Sequence, residues 1–353
     1  MAKDLKVTVK QIAELTGVST ATVSRVLNHK TTVNEDTRRK ILAVMEELNF
    51  NTPCASSNTA SRTILLFVPD FTNPFNDLVI QGIQQSAYNN HYRVFILQSR
   101  EKKLSFEDYD DAVKNHSFAG IILLSSATNQ KLLELLTVSC PIVMCAEYSD
   151  VKGISFVSTD DVSAAKKATE YLISCGCGKI ALINFSLDFR FSRHREQGYI
   201  EALQEAGLRK NEDLIVHLSS INYHLAYSYT LDLLSHPNPP DAIFAVSDVY
   251  AVAAVHAIQK AGLRVPEDIS VIGFDNVELS TMTNPPLTTI EQPAIQMGYQ
   301  SCELLIEKIN NPKIAKKRII MDTELIVRES TRNFSRKGNS EKPGGSPRVP
   351  VNP

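Results

Sequence analysis

A chain of 353 residues has room for two or three domains, each with a sizeable core. With 43% hydrophobic and 22% charged residues and a net charge of −2, its composition is that of an ordinary globular protein. No apolar run approaches the roughly 18 residues of a membrane helix, and the polar N-terminus lacks a secretory h-region, so a cytoplasmic protein without membrane contact is expected. The six cysteines (Cys54, Cys140, Cys145, Cys175, Cys177, Cys302) lack zinc-ribbon spacing and are too few for a disulfide scaffold. Cys175 and Cys177 read as a reduced loop pair, and neither metal nor cofactor is expected.

The first elements are two short helices joined by a tight turn, over Thr8–Asn28. Thr8 and Gln11 have the spacing of a capping box. Gly17 falls where the turn needs a residue without a Cβ, and Ser19 caps the second helix. At 100° per residue Val23, Val26 and Leu27 share one side of that helix, and Thr20, Ala21, Ser24, Arg25 and Asn28 the other. The second face is small and polar, ending in a cation. Such a face can approach base edges in a major groove, Arg25 offering a fork to guanine while Thr22, Ser24 and Asn28 bond phosphates. An ordinary helical hairpin with a solvated face is the bland alternative.

A third helix is predicted over 33–50, with Asn34 as N-cap and Ile41, Val44, Met45 and Leu48 on its apolar face. Residues 1–62 hold nine Lys or Arg against six acids, a net charge of +3, leaving the remainder near −5. Residues 51–62 are small and polar, the composition of a linker.

Beyond the linker, short apolar runs alternate with amphipathic ones. Strands are predicted at 63–68, 93–97, 120–124, 142–145, 154–157, 179–183, 242–246 and 269–273. Helices fall between them at 77–90, 105–115, 129–137, 161–175, 194–206, 223–235 and 248–261. This rhythm means parallel sheets covered on both faces. Its length implies two similar α/β halves that change over near residue 160, with 287–327 crossing back to complete both. The tail from Asn333, rich in Pro, Gly, Ser and Lys, has a disordered composition and no leucine heptads, so a coiled-coil tetramer is not expected.

Ile12-Ala13, Gly17-Val18-Ser19 and Thr22-Val23-Ser24-Arg25-Val26-Leu27-Asn28 resemble the signature of the lactose-repressor (LacI/GalR) family of bacterial transcription regulators. The likeness continues through Asn73-Pro74-Phe75, the run from Arg195 to Tyr199, Ser247-Asp248, Val265–Asn276, Pro286–Ile290 and Glu324–Thr331. Within the family it is nearest to cytidine-responsive members, on Ser61–Leu65, Val68–Asp70, Val143-Met144 leading to Glu147, and Met321-Asp322.

The resemblance implies a helix-turn-helix head (1–50), a hinge (51–62), a bilobal effector-binding and dimerising core like that of periplasmic binding proteins (63–332), and a tail (333–353). It implies a homodimer on near-palindromic double-stranded operator DNA, with Thr20, Ala21 and Arg25 facing bases and Thr22, Ser24 and Asn28 facing phosphates. A small effector, a nucleoside such as cytidine, would bind between the α/β halves and change their angle; a purine or a sugar is the alternative. On this likeness Arg195 and Asp275 hold the effector's hydroxyls, Ser247 adds a bond, and Phe75 either stacks on a ring or belongs to the core. Glu147 lies near another contact region of the family in a differing local sequence. Asp248 reads as the cap of the following helix, and His194 as a solvent-facing or bonding histidine.

The stretch Pro53–Thr59 lacks the leucine that relatives wedge into the minor groove. A more adaptable operator grip follows, aided by a partner such as a cyclic-AMP-bound activator. A solute receptor would need export, and an enzyme would need a motif; GxGxxG, P-loop, GxSxG and HExxH are all missing.

Overall fold

The computed structural model describes residues 9–27, 33–47, 62–98, 118–124, 130–151 and 153–332. Outside them lie Thr8, Asn28, Leu48, the stretch 51–61, the helix expected over 105–115 and the tail from Asn333. Contacts divide the chain into two units, Met1–Arg62 and Thr63–Pro353.

The first unit holds α1 (Val9–Thr16), α2 (Thr20–Leu27) and α3 (Glu35–Glu47). Gly17 adopts φ +70 between the first two, the left-handed conformation its place in the turn predicts. Ser19 Oγ accepts from Thr22 N at 3.2 Å, and Asn34 Oδ1 from Asp36 N at 2.9 Å, so the second and third helices start on the expected caps. Ile12, Ala13, Val23, Val26 and Ile41 form the core, with Val18 and Val33 against it. Val44 is only half-buried.

The second unit is two α/β subdomains. The first sheet uses β1 (Thr63–Val68), β2 (Arg93–Gln98), β3 (Gly120–Leu123), β4 (Ile142–Cys145), β5 (Ser155–Thr159) and β11 (Arg318–Met321), in the order β11-β5-β4-β3-β1-β2. All its pairings are parallel. Side chains of β1 alternate between two cores, as the period of 2 requires. Ile64, Leu66 and Val68 meet α4 (Pro74–Asn89) and α11 (Ala294–Asn310), while Leu65 and Phe67 meet α5 (Gln130–Ser139).

The second sheet uses β6 (Ile180–Phe185), β7 (Ile215–Leu218), β8 (Ala242–Ala245), β9 (Ser270–Asp275), β10 (Thr288–Glu291) and β12 (Glu324–Ile326), in the order β12-β10-β9-β8-β6-β7. Only β12 runs antiparallel to its neighbour. The helices of this subdomain are α6 (Asp161–Ser174), α7 (Arg190–Glu205), α8 (Tyr223–Leu234), α9 (Asp248–Lys260) and the single turn α10 (Leu279–Met282).

The chain passes between subdomains at 159–161, at 291–294 and at 321–324. The stretch 287–327 thus returns and completes both sheets, as its pattern suggests. Short β7, β11 and β12 at sheet edges went unseen in the sequence, because half-exposed runs of three or four residues carry little periodicity.

Two pairs of helices approach at backbone distance. In the first subdomain a Cβ at Gly298 of α11 would fall on the Val79 carbonyl of α4, and one at Gly82 on the Ile295 carbonyl. In the second, a Cβ at Gly198 of α7 would fall on the Val162 carbonyl of α6. Glycine at these three places lets the helices touch.

Candidate functional site

On α2 of the first unit, Thr20, Ala21 and Arg25 are exposed while Val23 and Val26 turn inward. Thr22 is half-buried, its hydroxyl 2.9 Å from Ser19 Oγ. The side chain of Ser24 and the whole of Asn28 lie outside the described residues. Where it is described, the helix has the apolar and polar faces the sequence predicts.

In the second unit, the carboxyl ends of the two parallel sheets enclose a cleft of about 680 Å³, the open solvent at its mouth included. This is where an open α/β sheet offers a crevice, because crossover loops leave in opposite directions. Phe75, Arg195, Ser247 and Asp275 all line it, together with Glu147.

Arg195 projects from the second turn of α7 and is 5% exposed. Its Nε donates to Asp161 Oδ1 at 2.8 Å and its Nη1 to the Val246 carbonyl at 2.7 Å. The guanidinium lies 3.6 Å from the Phe274 ring centroid and 5.0 Å from that of Phe191. A surface cation is therefore ruled out. Asp275 ends β9 with φ +109, a conformation rare for a side-chain-bearing residue. Its Oδ1 accepts from Gln292 Nε2 at 2.7 Å and lies 3.9 Å from Arg195 Nη1, an ion pair without a hydrogen bond. Gln292 Oε1 in turn accepts from Thr159 Oγ1 at 2.9 Å, joining the first and second crossings.

Burial dominates the electrostatics. It pushes the Asp275 carboxyl up to about 7, against the opposing pull of Arg195 and the bonds from Gln292 and Ser247. Asp161 is raised by burial despite Arg195. Asp248 is raised well above the carboxylate range by burial and by the charge of Asp275. The Arg195 guanidinium thus serves two buried acids, Asp161 and Asp275.

Asp248 is not the helix cap the sequence suggests. Ser247 caps α9, its Oγ accepting from Val249 N at 3.4 Å, so the hydroxyl expected to add a ligand bond also caps the helix. Asp248, one residue inside, turns inward and accepts from Thr289 Oγ1 at 2.6 Å and Val277 N at 2.9 Å. Phe75 belongs to the core beneath β1 and also lines the cleft. His194 is half-buried, its ring 6.0 Å from that of Tyr148, and burial lowers its pKa.

The sequence reading missed Asp161, Phe185, Phe189, Phe191 and Gln292. Phe185, Phe189 and Phe191 make one aromatic wall, with centroids 4.9 to 6.0 Å apart. The signal available was Phe189-Arg190-Phe191 just ahead of Arg195; Gln292, beside Pro293 at a crossing, carries no motif. Among the described residues no cluster of His, Cys, Asp and Glu has the arrangement of a metal site, and no helix is long and apolar enough to cross a membrane.

Comparison with known proteins fits this geometry. Residues 8–53 match the family of bacterial regulatory proteins, lacI family, and residues 169–331 match the periplasmic binding protein-like domain. The chain is 33% identical to the HTH-type transcriptional repressor CytR of Escherichia coli (strain K12), over 92% of this chain and 96% of that one. It is 30% identical to the HTH-type transcriptional repressor PurR of Photobacterium profundum, over 93% and 99%. A solved structure of the transcriptional regulator CelR with cellobiose superposes with TM-score 0.70 at 29% identity, over 92% and 99%. The relatives are repressors rather than enzymes. The chain belongs to the lacI family of bacterial regulatory proteins, and it is a DNA-binding transcriptional repressor built from a helix-turn-helix head and a two-subdomain α/β core.

Proposed function

We propose that this repressor binds operator DNA as a cytoplasmic homodimer and that a nucleoside, cytidine foremost, controls its affinity from the cleft. The proposed division is a head over 1–50, a hinge over 51–62, an effector-binding and dimerising core over 63–332 and a tail over 333–353. Thr20, Ala21 and Arg25 read bases, and Thr22, Ser24 and Asn28 fix the register on phosphates. Thr22 gives up its bond to Ser19 to do so, or shares it. A cyclic-AMP-bound activator on neighbouring DNA supplements a grip weakened by a hinge that lacks leucine.

The observation that carries the nucleoside reading is the meeting of two chemistries in one cleft. Arg195 and Asp275, 3.9 Å apart, offer donors and an acceptor to neighbouring hydroxyls. Phe75 and the wall of Phe185, Phe189 and Phe191 offer apolar faces to a planar ring. A sugar alone uses the first, a free base the second, and a nucleoside both. An effector touching both subdomains alters their angle at the three crossings, and about 1–3 kcal/mol of coupling changes operator affinity 5- to 150-fold.

Calorimetric titration of the full chain with cytidine, adenosine, ribose and guanine tests the reading. Saturable cytidine binding that is lost in Asp275→Ala supports it. Binding of ribose or guanine alone overturns the nucleoside assignment and leaves the repressor intact.

A further inference from the structure

We propose that Arg328 is a positioning residue for the effector: it clamps the turn that carries Asp275 and so fixes where that carboxyl meets the ligand's hydroxyls. The proposal rests on the nucleoside reading above and adds the residue that holds the hydroxyl acceptor in place. Asp275 takes φ +109 and Asn276 φ +53, two successive residues with a Cβ in backbone conformations that favour glycine. Such conformations persist only where the surroundings impose them.

Arg328, just beyond the end of β12, supplies that constraint. Its Nη2 donates to Asn276 Oδ1 at 2.7 Å, and its Nη1 to the Leu287 carbonyl at 2.7 Å and to Ser280 Oγ at 3.2 Å. Those acceptors stand at the start, in the middle and at the end of the connection from β9 to β10, so one guanidinium ties the whole loop together. Ser280 Oγ also lies 3.3 Å from Asn276 Oδ1 and bonds to it. Asp248 adds a second hold on the same turn, its Oδ2 accepting from Val277 N at 2.9 Å.

Asp275 lines the cleft, whereas Asn276 and Arg328 lie outside its lining, so Arg328 acts through the turn and not on the ligand. The clamp is itself anchored on the sheet. The Arg328 backbone N–H donates to Thr288 Oγ1 at 3.0 Å, and two residues on, Ser330 Oγ donates to the Val271 carbonyl at 2.6 Å. A carboxyl accepts from a hydroxyl in either protonation state, so the placement of Asp275 matters whether or not it is charged. Three acceptors in different directions suit the planar fork of a guanidinium; lysine keeps the charge and loses the fork.

Calorimetric titration of the full chain with cytidine and with dideoxycytidine, which lacks both ring hydroxyls, tests the positioning. In Arg328→Lys and Arg328→Met, cytidine is expected to bind at least about tenfold more weakly, while the affinity for dideoxycytidine stays within about twofold. A merely structural role would weaken both alike. The lysine variant decides if methionine unfolds the core. Hydrogen exchange of the full chain without ligand tests the clamp directly. The amides of Val277, Ser280 and Leu287 are bonded to Asp248, Val277 and Ser280. In Arg328→Lys they should exchange at least about tenfold faster, with the amides of β6 unchanged.

Cytidine binding unchanged in Arg328→Lys, an equal loss for both nucleosides, or loop amides that exchange as before would each overturn the role of Arg328 while the nucleoside reading stands. An unaltered chain that binds no nucleoside, with loop amides that still exchange faster in the variant, overturns the nucleoside reading and leaves the clamp on Asp275 standing. No binding together with unchanged exchange overturns both.

Discussion

Burial of the Asp275 carboxylate in the proposed effector site costs stability, and Asp275→Asn exposes that cost. A carboxyl with a raised folded pKa stabilises the fold while protonated. Its contribution is complete below the unfolded pKa and is lost as pH rises through the folded value. For Asp275 the window runs from 3.8 to about 7. At about 1.4 kcal/mol for each tenfold change, the loss across it is about 4 kcal/mol, an upper figure because Asp248 and Asp161 titrate in the same field. Asparagine has nearly the same shape and no charge, so it escapes the loss. In urea unfolding of the full chain followed by far-ultraviolet circular dichroism, the variant should exceed the unaltered protein in core stability at pH 8, by up to about 4 kcal/mol. The difference should shrink to about 1.7 kcal/mol at pH 5 and vanish only below the unfolded value of 3.8. Effector binding should meanwhile weaken, as the site loses its charged acceptor. A variant no more stable at pH 8, with a pH profile parallel to that of the unaltered protein, would refute the argument that this carboxylate is held charged against its surroundings.

Three other outcomes follow from described contacts. Gly298→Ala should destabilise the core by about 1–3 kcal/mol because the new methyl meets the Val79 carbonyl; alanine ordinarily gains about 1 kcal/mol over glycine inside a helix, so a raised melting temperature would contradict the close approach. Gln292→Leu removes a bond that favours charged Asp275, so the pH midpoint of effector binding should move upward from about 7; an unmoved midpoint in Kd against pH would argue against that bond. Arg25→Ala should cost about 1–3 kcal/mol of operator affinity and relax preference at one base pair; a gel-shift series showing equal loss on every sequence would assign Arg25 to phosphate instead.

The parts of this fold legible in the sequence are those where one physical rule acts alone. The fully buried strand Ile142–Cys145 is a continuous apolar run bounded by turns, and its predicted limits match the structure, whereas other buried strands such as Ile180–Phe185 and Ser270–Asp275 are displaced by one or two residues. Ser19 and Asn34 cap their helices because cap chemistry is local. Arg195 and Asp275 were found through the family's motifs, and nothing in their spacing of 80 positions brings them to 3.9 Å. Asp248 shows the converse. A local rule made it a cap, but the carboxylate turns inward into space left by Gly273, where Thr289 and Val277 receive it. Gln292 and the phenylalanine wall were invisible for the same reason, since their partners lie on distant strands and crossings.

The glycine contacts between helices have a mechanical meaning. Each fuses a helix leaving a crossing to a helix whose first turns line the cleft: α11, which follows 291–294, to α4 with Phe75, and α6, which follows 159–161, to α7 with Arg195. Backbone pressed on backbone leaves no soft side chain between them to absorb a displacement. Such packing would concentrate the compliance of the core in the few residues of the crossings, so that each subdomain would turn as a block under the proposed effector control. On the proposed assignment, a ligand's grip on Phe75 and Arg195 would become torque at the crossings, instead of being dissipated as small rearrangements within each subdomain.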